Sequence, residues 1–114
     1  MEVRLNIYTD ETLKEIEKTY VQNDFKLATA VAEDLLDLIN IDMFVGTDET
    51  AAMTELFKVV LKGRPQFKTL LKRVFDGLTD DEIKRTNLKE FVKAIYNVAV
   101  YTIAGLFDLA DEKN

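Results

Sequence analysis

The sequence predicts a mainly α fold: an N-terminal β-hairpin followed by four to five helices packed as a small single domain. Three observations predict it. Apolar residues alternate with polar ones at the N-terminus, then recur at i, i+3, i+4, i+7 spacing through the remainder. Glycines and capping residues punctuate the helical stretches, and no Gly/Ser linker or internal repeat divides them.

Val3, Leu5 and Ile7 alternate with Glu2, Arg4, Asn6 and Tyr8, the period of a half-buried strand. The TDET run at 9–12 is turn-like, and 16–21 can return as a second strand. Thr12 and Glu15 also fit a capping box, with Leu13, Ile16 and Tyr20 on one helical face. The hairpin is favoured because a lone strand leaves its backbone groups unpaired. The chain thus divides into a hairpin at 1–22, a helical part at 25–110 and a polar tail at 111–114, all within one domain of 1–114.

The first helix is expected over 27–40, with Ala28, Val31, Ala32, Leu35 and Ile39 as its buried stripe. Thr47 is a plausible N-cap for the next, followed by Asp48 and Glu49 in the favourable first turn. Its apolar spacing runs through Met53, Leu56, Phe57, Val60 and Leu61. Gly63 ends that helix, and Pro65 sits where another begins. Phe67, Leu70, Leu71, Val74 and Phe75 repeat the spacing up to Gly77. Thr79 and Glu82 then form a capping box for a short helix over 79–85. Asn87 and Glu90 give a further start for a long helix over about 88–109.

That long helix is apolar on nearly every side, which implies burial on two sides or a waiting partner. Leu88, Val92, Ile95, Ala99, Thr102 and Leu106 form the expected core stripe. A second row, Tyr96, Val100, Ile103 and Phe107, has the spacing that a partner helix or neighbouring subunit reads. Another element of the same domain can equally cover this row, and the sequence leaves both readings open.

Composition removes several kinds of chemistry. The chain has 114 residues, with no cysteine and no histidine. Disulfides, thiol catalysis, zinc–thiolate sites and histidine-based proton transfer are therefore excluded. A calcium loop at Gly77 lacks its ligands, because Lys72, Val74 and Ile83 fall at positions one, three and twelve. Paired carboxylates such as Glu33/Asp37 and Asp80/Asp81 lack a convergent polar group, and no phosphate-cradling glycine loop is present. The expectation is a non-enzyme with no cofactor or metal.

Net charge is −6, unevenly spread: residues 1–57 hold 4 basic and 13 acidic side chains, residues 58–114 hold 11 and 8. The stretch 58–73 carries six basic residues and no acid. It reads as a solvated face rather than a nucleic-acid site, since the overall acidity repels phosphate. The longest apolar-looking run, 91–107, has 17 residues and contains Lys93 and Asn97, short of a membrane span. With no signal-peptide pattern at the N-terminus, the expectation is a soluble, cytoplasmic protein without membrane or nucleic-acid partners.

The opening MEVRLNIYTDETLKEIEKTYV, and more closely the block VFDGLTDDEIKRTNLKEFVKAIYNVAVYTI, resemble tail assembly chaperones of long-tailed, siphovirus-type phages of Gram-positive bacteria. The resemblance spans nearly the whole chain, and the length is similar to that of the family's short product. It implies a protein that binds and solubilises the tape measure protein in the host cytoplasm, and that is absent from the finished virion. It also implies a longer frameshifted form that would reach the tail tube protein. The terminal Glu112-Lys113-Asn114 has codons that can spell a slippery run. The family supplies no motif residue with a transferable role, so the candidate partner-binding residues remain Tyr96, Val100, Ile103 and Phe107. The alternative is an intracellular adaptor or regulatory helical domain binding a partner helix, and self-association through the same row is compatible with either.

Overall fold

A computed structural model describes residues 2–23, 29–44, 46 and 48–112, and side chains as far as residue 104. Strands β1 (Val3–Tyr8) and β2 (Ile16–Gln22) pair antiparallel with Leu5 opposite Tyr20 and Asn6 opposite Thr19. Five α-helices follow: α1 (Thr29–Leu38), α2 (Glu49–Lys62), α3 (Arg64–Val74), α4 (Asp80–Lys84) and α5 (Leu88–Glu112). The expected mainly α architecture with an N-terminal hairpin is the one observed.

The hairpin is one-sided. Val3, Leu5 and Ile7 are buried, whereas β2 is exposed apart from Tyr20 and Gln22, which are half-buried. Its exposed Glu17 and Lys18 place charge along an edge that would otherwise invite pairing. Leu13 adopts φ 59 in the connecting turn, where Asp10 Oδ1 accepts from the Thr12 N–H at 2.9 Å.

Local signals explain most helix ends. The described part of α1 begins at Thr29, so Ala28 and the expected start at residue 27 lie outside the described residues. The helix stops at Leu38 rather than Asn40, because the Asn40 side chain accepts from the Asp42 N–H and starts a 3-10 turn, Ile41–Met43. Thr47 also lies outside the described residues; the cap of α2 is Asp48, whose carboxylate accepts from the Ala51 N–H at 2.8 Å. Gly63 both closes α2 and opens α3, with Pro65 in the first turn of α3. Thr79 and Glu82 form the complete capping box of α4. The final helix runs through Glu112, two residues into the expected polar tail.

The buried residues of the hairpin and helices form one cluster around α5. Phe67 and Leu71 of α3, Leu56 and Val60 of α2, and Leu5 and Ile7 of β1 are essentially inaccessible to water. On α5 the buried set is Phe91, Val92, Ala94, Ile95, Val98, Ala99 and Ile103. This arc covers about half the helix circumference at 100° per residue. It is wide because α5 packs against β1 on one flank and α2 on the other. Two-sided burial accounts for much of the all-round apolar character of this helix.

Candidate partner-binding surface

The predicted row on α5 lies at the margin of the buried arc. Ile103 is 6% exposed and belongs to the core. Tyr96 is half-buried, packs against the core cluster, and meets Phe44 with ring centroids 5.7 Å apart. Lys93 Nζ stands 5.0 Å from the centroid of the Tyr96 ring. Val100 is half-buried, and the Phe107 side chain lies outside the described residues. Of the expected core stripe, Val92, Ile95 and Ala99 are buried and Thr102 is half-buried. Leu88, in the first turn, is instead 43% exposed, and Leu106 lies outside the described side chains.

A second apolar surface emerges on α2, where the sequence suggested core. Ala52, Leu56 and Val60 are the buried residues, at i, i+4, i+8 spacing. Phe57 and Leu61, expected inside, are exposed at 37% and 39%, and Met53 is half-buried between the two faces. The reason is geometric. Two adjacent rows, 52/56/60 and 53/57/61, both satisfy helical spacing, but the helix can turn only one squarely toward α5. Small Ala52 in the first row permits the close approach, a signal that was present in the sequence.

Polar contacts fix the hairpin against α4 and α5. Glu82 is the buried charged residue among those described, at 6% exposure. Its Oε1 accepts from Tyr20 Oη at 2.7 Å and from the Thr79 N–H at 3.1 Å, while Lys18 forms an ion pair with Oε2. Burial raises the carboxyl pKa, but the Lys18, Tyr20 and Thr79 contacts outweigh it and hold it down at about 2. Beside it, Glu90 accepts from Asn6 Nδ2 at 3.0 Å and from Tyr8 Oη at 2.8 Å. Arg85 donates to the Tyr8 carbonyl at 2.7 Å and accepts the Tyr8 N–H at its own carbonyl, 2.9 Å away. Every acceptor here is engaged by the protein itself. The arrangement therefore positions the hairpin against α4 and α5.

The basic stretch at 58–73 is partly neutralised in place. Lys58 pairs with Glu55, Lys72 with Asp80 at 2.5 Å, and Arg73 with Asp34 at 2.7 Å. No group of three or more potential metal ligands occurs among the described residues. Nor is any helix among the described residues long and apolar enough to cross a membrane.

The chain matches no known family. No curated protein and no solved structure matches it either. Its functional reading therefore rests on its own residues and on the resemblance noted above.

Proposed function

We propose that this protein is a phage tail assembly chaperone, the short form, which binds and solubilises the tape measure protein in the host cytoplasm and is absent from the mature virion. The observation that carries the reading is the resemblance of the opening segment and of the 74–103 block to that family. The surface supports it: Phe57 and Leu61 stand more than a third exposed, and Tyr96 and Val100 are only half covered. A client with long apolar helices needs such a surface and no catalytic group. An acidic chain of net charge −6 would keep a coat of many copies soluble around that client.

The test is co-expression with a fragment of a tape measure protein. The fragment is expected to move from the insoluble to the soluble fraction and to copurify with this chain. Equal insolubility with and without the chain would overturn the proposal. Val100→Asp combined with Phe107→Asp then tests the row on α5: the variant should remain folded and lose capture. Unchanged capture would assign the contact to another surface.

A further inference from the structure

A cleft opens between the end of α2, the start of α3, the short α4 and the first turns of α5. Val60, Ile83 and Phe91 form its apolar floor, all buried, and Leu88 stands at the lip with 43% of its surface exposed. Arg64, Lys68 and Lys84 line the same cleft. These cations come from two separated parts of the sequence, and none of them has a salt-bridge partner among the described residues. Lys68 and Lys84 both act on the charge of Asp80, whose carboxylate is held foremost by Lys72. Lys68 is half-buried, as a long cationic side chain is when its stem lies along apolar surface. Positive charge without ion-pair partners thus gathers around an apolar floor in a chain of net charge −6.

We infer that this cleft docks an acidic amphipathic helix of a partner protein, with an apolar side chain over Leu88 and carboxylates against Arg64, Lys68 and Lys84. The charge selects the occupant. A basic or neutral apolar helix would leave three cations uncompensated, whereas Asp or Glu flanking an apolar row satisfies both features at once. Nucleic acid could meet the cations but would leave the apolar lip unmatched, and the acidic remainder of the molecule repels it. The inference concerns a surface separate from the Tyr96–Val100 row and holds whether or not the partner is a tape measure protein.

Peptide binding by the full chain tests it. Two short fluorescein-labelled helices share a leucine row at i, i+3, i+4 and i+7; one flanks it with glutamates, the other with lysines. By anisotropy at low salt, the glutamate helix should bind about tenfold more tightly than the lysine helix, and added salt should narrow the difference. Lys68→Glu with Lys84→Glu should weaken the glutamate helix about tenfold and favour the lysine helix, a reversal that misfolding does not produce. Leu88→Asp should weaken both. Equal affinity for the two helices, or no binding by either, would overturn the inference. So would retention of a DNA duplex in place of the glutamate helix. Sedimentation showing self-association that Leu88→Asp abolishes would assign the cleft to a second copy of the chain and likewise overturn it. Co-expression with the tape measure fragment is scored separately, so failure of one proposal does not entail failure of the other.

Discussion

Removing the charge of Glu82 is expected to loosen the hairpin from the helices. Glu82→Gln keeps the size but loses the pairing with Lys18 and weakens the two hydrogen bonds from Tyr20 and Thr79, at an expected cost of about 2 kcal/mol in urea unfolding. The same residue predicts an acid response. Its carboxyl titrates near 4.5 in an unfolded chain and at about 2 in the folded protein. The stabilisation is therefore complete above pH 4.5 and is lost as pH falls toward 2. A plot of unfolding free energy against pH should fall through that window, and more shallowly in Glu82→Gln; parallel curves would remove Glu82 from the account. At Gly77 the issue is backbone. Its φ of +88 lies in the left-handed region, and a Cβ would meet nothing closer than Tyr20 Oη at 4.0 Å. Gly77→Ala should cost about 1 kcal/mol through strain alone, read as a lower thermal midpoint. The capping role of Glu82 was legible from T-x-x-E spacing. Its bonds to Tyr20 and Lys18 were not, because they join residues more than sixty apart and depend on where the hairpin lands.

Among the elements, α5 and α2 show how far helical periodicity reaches. Spacing placed α5 and the centre of its core stripe, Val92, Ile95 and Ala99, but it assigned Leu88 to the core, where the structure leaves it exposed at the lip of a cleft. On α2 it could not choose between two neighbouring rows, and Phe57 and Leu61 fell on the open one. Alanine substitution separates the faces. Ile95→Ala should cost about 3 kcal/mol, since its side chain is wholly enclosed between β1 and α2 elements. Phe57→Ala should cost well under 1.5 kcal/mol, because a partly solvated ring gives up less buried area. Chemical denaturation of the two variants measures both, and equal losses would show that the α2 ring is packed more tightly than its exposure implies. The Tyr96 row was found by spacing, whereas its contact with Phe44 required knowing where the 3-10 turn sits.

For the whole molecule, the single cluster of buried residues makes the helical part dependent on its last element. A chain truncated after Asn87 lacks α5, and with it the surface on which β1 and α2 rest. It should lose cooperative unfolding and much of its helical circular dichroism; retention of a sharp transition would show that α1–α4 hold a core of their own. The uneven charge distribution was readable from residue counts. Its arrangement was not: Arg73 reaches Asp34 and Lys93 pairs with Glu49, while Arg64, Lys68 and Lys84, without ion pairs among the described residues, come together at one cleft. Folding partners cancel charge that the sequence shows only as a local excess.

The ties from Asn6 and Tyr8 to Glu90, and from Tyr8 to Arg85, join the first strand to residues 77 to 84 positions later in the chain. β1 leaves the ribosome before the helices that cover it. Until α5 follows, Val3, Leu5 and Ile7 have no lasting cover beyond the hairpin itself. Closing so long a loop before its contacts can form slows folding. The hairpin thus waits during translation with the apolar face of β1 uncovered. Its polar, charged second strand protects it during that wait.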